Sequence, residues 1–220
     1  MTARSWSVAR RYVMWPLLAG VLALVAGRLG GLRRLRALGW ASLGTAVLTL
    51  LFFRDPERRP EPEEGVIYAA ADGRVTDVDE VEEPWLDGGR AGRVSVFLNL
   101  HNVHVNRSPY AGTIEKMEER AGGYAPALFG GVEENYTNRT LLAGERGAFV
   151  VVQRAGMIAR RITPWVGEGQ NVEAGERIGL IHFGSRTDVL LPPEAAFFLV
   201  RPGDKVRAGL TPIARYRGSG

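Results

Sequence analysis

Two apolar runs without a charged residue, 12–27 (YVMWPLLAGVLALVAG) and 37–53 (ALGWASLGTAVLTLLFF), fill most of the first quarter of the chain. Segments that are apolar on every side must be covered all round, by a large core or by lipid. A chain of 220 residues has room for one moderate domain and an appendage. Lipid is therefore the expected cover, and residues 1–53 read as a membrane-associated helical hairpin. As helices the runs are about 25 Å long at roughly 1.5 Å per residue. That is short against a hydrocarbon core of about 30 Å, but tolerable with thinning or snorkelling. Trp15, Trp40, Phe52 and Phe53 suit interfacial positions. Arg4, Arg10, Arg11, Arg54, Arg58 and Arg59 flank the hairpin, against Arg28, Arg33, Arg34 and Arg36 between the runs. For a spanning hairpin this bias puts both ends, and the rest of the chain, on the cytoplasmic side of the cell membrane. Four arginines in a translocated loop are unusual, so a hairpin dipping into one leaflet stays open. A cleaved secretory signal would account for the first run and leave the second unexplained.

Residues 54–65 (RDPERRPEPEEG) read as an extended, solvated linker. From Val66 to Gly220, short apolar runs alternate with Gly, Pro, Asp and Asn. Val66–Ala70, Arg74–Val78, Arg93–Leu98 and Ala148–Val152 read as strands; only Arg139–Ala143 and parts of Ile114–Arg120 hint at helix. The segments 166–175 (VGEGQNVEAG) and 200–209 (VRPGDKVRAG) share the pattern V-x-x-G-x-x-V-x-A-G, a tight turn, a short strand and a second glycine turn. This resembles the hairpins of lipoyl- and biotinyl-type domains. The expected fold is mainly β: a flattened barrel or sandwich with lipoyl-like hairpin repeats behind an N-terminal membrane helical hairpin. A swinging-arm carrier is rejected, because neither lysine, Lys116 or Lys205, has the setting of an arm-bearing residue. The absence of cysteine excludes disulfides and thiolate metal sites. The net charge of +4 is carried by arginine, whose planar fork suits phosphate and carboxylate. No basic run interleaves with aromatics, so nucleic acid is not an expected partner.

Chemistry centres on 183–189 (FGSRTDV), which follows an apolar run and leads into another. Gly184 removes bulk beside a carbonyl, and Ser185 supplies a hydroxyl one residue away. Attack would turn the peptide into an ester, and elimination followed by hydrolysis with loss of ammonia would leave a pyruvoyl group. By itself Gly-Ser is equally a strand-edge turn. The histidines are His101, His104 and His182. Residues three apart, like His101 and His104, face opposite ways in a strand but can share a pocket in a turn. Asp72, in the turn Asp72-Gly73, supplies a carboxylate of the kind that orients an imidazole acting on a hydroxyl.

Several segments, in order, resemble the phosphatidylserine decarboxylase family of the short, membrane-anchored type: 52–58 (FFRDPER), 71–75 (ADGRV), 102–109 (NVHVNRSP), 112–114 (GTI), 134–139 (ENYTNR) and 183–189 (FGSRTDV). They cover about residues 50–195. The resemblance implies a zymogen of phospholipid biosynthesis that cleaves itself between Gly184 and Ser185 into a β-chain 1–184 and an α-chain 185–220. Residues 66–220 would then be the catalytic domain, and Ser185 would become the pyruvoyl cofactor. Asp72 and His104 match the partners that activate the serine. His101 matches a histidine implicated, in some members, in decarboxylation. The implied reaction converts phosphatidylserine in the bilayer to phosphatidylethanolamine and CO2 through a Schiff base on the pyruvoyl group. Arg107, Arg139 and Arg186 are candidates for the substrate phosphate; the two chains of one precursor are partners, and a homodimer is admitted. His182 departs from the family pattern, which has arginine or lysine there.

Two readings of other classes compete. One is a zinc hydrolase on a β-scaffold, with His101, His104, His182 and Asp72 as ligands. The spacing of His101 and His104 does not put both on one face of a strand, so no metal is expected. The other is a membrane-anchored binding module in which the hairpins are structural only.

Overall fold

The computed structural model describes residues 2–58, 63–123, 134–156, 161–182 and 185–218. The chain divides into two compact units, Met1–Pro56 and Glu57–Gly220.

In the first unit, helices α1 (Ala3–Leu29) and α2 (Arg33–Phe52) form an antiparallel hairpin around a turn at Gly30-Gly31-Leu32. Both outrun the charge-free stretches, because the flanking arginines join the helices instead of staying in loops. Their 27 and 20 residues correspond to about 40 and 30 Å, enough to cross a hydrocarbon core. The facing stripe is small: a Cβ on Gly20 would come within 3.0 Å of the Gly39 carbonyl, and one on Gly39 equally close to that of Gly20. Close backbone approach of this kind is how helices pack where lipid removes any hydrophobic gain. Ser42 Oγ donates to Pro16 O across the pair at 2.7 Å. Trp15 and Trp40 are exposed. Phe52 and Phe53 are not: both are buried, and Phe53 stacks on Tyr12 at 5.4 Å. Asp55 is buried too, accepting from Thr2 Oγ1 at 2.7 Å and Ser5 Oγ at 3.0 Å, so the start of the linker is a tie between the hairpin's ends rather than solvated chain.

The second unit is β throughout. Its strands are β1 (Val66–Tyr68), β2 (Gly73–Glu82), β3 (Arg90–Leu98), β4 (Val105–Arg107), β5 (Gly112–Arg120), β6 (Thr137–Gly144), β7 (Gly147–Ala155), β8 (Ile162–Pro164), β9 (Asn171–Val172), β10 (Arg177–Ile181), β11 (Ser185–Leu191), β12 (Ala196–Phe198), β13 (Lys205–Val206) and β14 (Pro212–Tyr216). They build a curled eight-stranded sheet, β13-β2-β3-β11-β7-β6-β5-β9, and two three-stranded sheets, β1-β14-β12 and β4-β10-β8. The helical hints at 114–120 and 139–143 are overturned: these residues pair as β5 and β6.

The two V-x-x-G-x-x-V-x-A-G segments occupy matching places. Their strands β9 and β13 form the two edges of the large sheet. β13 pairs with Gly73-Arg74 of β2, and β9 with Gly112-Thr113 of β5. Val75 N donates to Asp204 O and Ile114 N to Gln170 O, both at 2.9 Å; Gly203 N and Gly169 N return bonds to Val75 O and Ile114 O. The small sheets correspond likewise, β1-β14-β12 to β4-β10-β8. The unit is thus two similar halves joined along β11 and β7. The main core lies inside, with Val75, Val94, Val96, Leu98, Ile114, Leu142, Phe149, Val151, Val189 and Ile213 buried together.

Candidate active site

Strand β11 is buried along its whole length. Ser185 opens it, paired with Leu98 of β3 on one side and Ala155 of β7 on the other. Its Oγ is fully buried and makes no hydrogen bond among the described residues. A buried hydroxyl left without a partner forfeits on the order of 1–3 kcal/mol of desolvation. Such a group calls for an explanation, and chemistry is one. Phe183 and Gly184, and with them the Gly184–Ser185 bond, lie outside the described residues.

The histidine segment leaves β3 at this point. Leu98 is opposite Ser185, and the chain then turns, with Asn102 N donating to Asn99 O and Asn99 N to Asn102 Oδ1, each at 2.9 Å. His101 is exposed on this turn, whereas His104 is fully buried with Nδ1 3.1 Å from Asn102 O. His104 O accepts from Ile181 N at 3.1 Å, which ties this segment to the end of β10. Ser185 and His104 are therefore linked through both flanks of the chain. The turn separates the two histidines by burial.

Asp72 sits in the turn between β1 and β2. Arg58 grips its carboxylate with both nitrogens, Nη1 to Oδ1 at 2.5 Å and Nη2 to Oδ2 at 2.8 Å, and Ala208 N donates to Oδ1 at 2.8 Å. Both residues are nearly buried, so this is a bidentate pair in which loss of either partner strands a charge. Asp72 and His101 line one cleft of about 480 Å³, together with Arg74, Asn102, Lys205 and Arg207.

The three arginines expected to hold phosphate have partners within the protein. Arg107 donates to Gly175 O at 2.8 Å. Arg139 pairs with Glu83 and lies over the Trp85 ring at 4.1 Å. Arg186 donates to Asp188 Oδ1 at 2.7 Å and to Ser95 Oγ at 2.8 Å. Asp188, fully buried, also accepts from Arg154 Nε at 2.8 Å. Burial pushes the Asp188 carboxyl up, but Arg154 and Arg186 outweigh that and hold it below the usual carboxylate value. His182 is buried beside Thr163, Nε2 to Oγ1 at 3.0 Å. Among the described residues no three His, Asp or Glu side chains converge as a metal site, which gives the zinc reading no support.

Sequence reasoning missed several residues. A chain of buried amides runs beneath the face of β11 that carries Ser185 and Thr187. Asn138 Nδ2 donates to Gln153 Oε1, Gln153 Nε2 to Asn106 Oδ1, and Thr187 Oγ1 to the same Asn106 oxygen. Asn106 and Asn138 lie in segments that carry the family resemblance, and amides set among strand-forming residues were the available signal. Arg58 also lies in a quoted segment, but its link to Asp72 is visible only in three dimensions.

The family model described as phosphatidylserine decarboxylase matches residues 46–214. The chain is 44% identical over 205 residues to a phosphatidylserine decarboxylase proenzyme of Symbiobacterium thermophilum, covering 91% of this chain and 93% of that protein. It is 46% identical over 204 residues to the proenzyme of that name from Gluconobacter oxydans, covering 90% of each. Against the one from Thermobifida fusca it is 44% identical over 197 residues, 90% of this chain and 86% of that protein.

Proposed function

Because the chain belongs to the phosphatidylserine decarboxylase family, and so to the carboxy-lyases, we propose that it matures by cutting itself at Gly184–Ser185 and then removes CO2 from the serine head group of phosphatidylserine to give phosphatidylethanolamine. The observation that carries this reading is the buried Ser185 Oγ, unpartnered among the described residues and flanked by the His104 segment.

In maturation His104 takes the Ser185 hydroxyl proton and Oγ attacks the Gly184 carbonyl, so the peptide bond becomes an ester. Loss of the Ser185 α-proton expels the Gly184 carboxylate and leaves dehydroalanine at the new terminus. One water then hydrolyses it, releasing ammonia and leaving a pyruvoyl group. Asp72 serves as a positioning residue, its negative charge fixed by Arg58 and Ala208 N in the wall of the cleft. The Ser185 Oγ, unpartnered among the described residues, and the buried strand around it suit such a group, since an electrophilic carbonyl survives best away from water. When present, the pyruvoyl group supplies a carbonyl for the substrate amine and a sink for the electrons freed as CO2 leaves. His101, exposed in the cleft, is the residue we assign to proton delivery at the carbon that loses CO2. The substrate is a bilayer lipid, which gives the hairpin 1–53 and linker 54–65 a use: they tether the catalytic domain 66–220 to the membrane, on the cytoplasmic side by the arginine bias.

The test uses the full chain in detergent micelles with phosphatidylserine labelled at the serine carboxyl. Labelled CO2 is expected from the wild type and none from Ser185→Ala, which should stay one unbroken chain. Release from Ser185→Ala at the wild-type rate, or none from the wild type, would overturn the reading.

A further inference from the structure

The cleft beside Asp72 is more basic than its architecture requires. Arg74, Lys205 and Arg207 line it. The only carboxylate among its lining residues, Asp72, is held by Arg58. Arg74 donates through Nη1 to Gly203 O at 3.0 Å. Lys205 and Arg207 are exposed, and among the described residues neither side chain meets a carboxylate.

The other half of the unit shows what the fold alone needs here. At the matching edge, Thr113 stands for Arg74, Asn171 for Lys205 and Glu173 for Arg207. The main-chain bonds are the same: Val75 N to Asp204 O and Ile114 N to Gln170 O, each 2.9 Å. At the second edge Thr113 Oγ1 simply bonds Asn171 Oδ1 at 2.6 Å. One edge therefore carries three cations, Arg74 on β2 and Lys205 and Arg207 on the hairpin, at positions where its structural twin carries none and pairs just as well. Like charges gathered without a counter-ion repel one another, and an incoming anion removes that cost.

We infer that Arg74, Lys205 and Arg207 form the subsite for the phosphodiester of the lipid head group. Arg207 offers a planar fork and Lys205 a compact ammonium, the usual pair of phosphate donors. Asn102 and Thr211, in the same lining, add neutral hydrogen-bonding groups, and His101 shares the cleft. This assignment rests on the decarboxylase reading and specifies how that site holds its substrate. It also fits the observation that Arg107, Arg139 and Arg186 are engaged inside the protein.

The deciding experiment grafts the twin hairpin's residues onto this one, Lys205→Asn with Arg207→Glu, in the full chain. The exchange uses side chains already compatible with the same turn; each single substitution and the conservative Lys205→Arg are read beside it. Three quantities are measured: chain masses, the kinetics of CO2 release from phosphatidylserine in mixed micelles, and direct binding of glycerophosphoserine by calorimetry. The double variant should still be processed, with KM raised about tenfold or more and kcat changed far less, consistent with loss of charge-assisted contacts. Glycerophosphoserine binding should weaken by a similar factor, and Lys205→Arg should restore both. Unchanged KM and binding in a processed, CO2-releasing enzyme would overturn the subsite and leave the decarboxylase reading standing. A wild type that releases no CO2 would overturn that reading, while the binding comparison would still decide the subsite. If inorganic phosphate displaced glycerophosphoserine at equal concentration, the site would be one for the free anion, and the head-group assignment would fall.

Discussion

Asp188 lies in the same strand as Ser185, yet its environment does different work. It is fully buried between Arg154 and Arg186, with its carboxyl held below the ordinary value. A carboxylate whose folded pKa is depressed stabilises the fold at pH above about 3.9, its unfolded value, and that contribution is lost as pH falls through the folded value. Asp188→Asn leaves the buried Arg186 and the partly buried Arg154 guanidiniums facing a neutral amide, and should cost about 3–5 kcal/mol. A thermal melt at neutral pH should show the drop, and the variant's acid-induced loss of stability should be shallower than the wild type's. Arg58→Ala, which strands the Asp72 carboxylate, should slow the appearance of the two fragments after synthesis, with Arg58→Lys restoring part of the rate. Ser185, His104 and Asp72 were legible as candidates because their neighbours along the chain carry the pattern. Arg58 gripping Asp72 beside Ala208, or Arg186 turned inward to Asp188, was not legible, because those partners meet only after folding. A basic residue near a candidate nucleophile invites assignment to substrate, and only the folded contacts show Arg186 bonded to Asp188 and Ser95.

At the scale of elements, the repeated hairpins were readable from glycine spacing, and they mark both edges of the large sheet. Their partner strands were readable only as strands; that β2 and β5 are counterparts required the pairing register. The matching glycines differ in tightness. A Cβ on Gly73 would overlap the Phe97 carbonyl, whereas one on Gly112 would sit 2.7 Å from that of Ala143. Gly73→Ala should therefore destabilise the β unit more than Gly112→Ala, with roughly 1–3 kcal/mol of overpacking at Gly73 read as the larger fall in Tm. Equal Tm values for the two would show that the Gly73 contact relaxes. The helical hint in β5 arose from Glu115, Lys116, Glu118 and Glu119, residues that favour helices in isolation. Pairing with β6, and Lys116 lying 4.2 Å from the Trp85 ring, override that preference.

For the whole molecule, the sequence announced a membrane segment and a β domain, and the two units divide at Pro56. The hairpin's length was under-read, because arginines at the ends of apolar runs extend the helices they flank. Both helices have the length and composition to cross a bilayer. The full chain should float with liposomes through a density gradient and resist extraction by high salt. If both ends face the cytoplasm, protease added outside intact cells should leave the β unit whole, and added to inverted vesicles should digest its exposed loops. Self-cleavage changes the chain's own covalent structure, so the intact mass of the purified wild-type protein under denaturing conditions reports it most directly. Two fragments divided after Gly184 are expected, with fragment 185–220 lighter by one ammonia than a peptide beginning with serine. A single unbroken chain, or a fragment with an unmodified N-terminal serine, would contradict it.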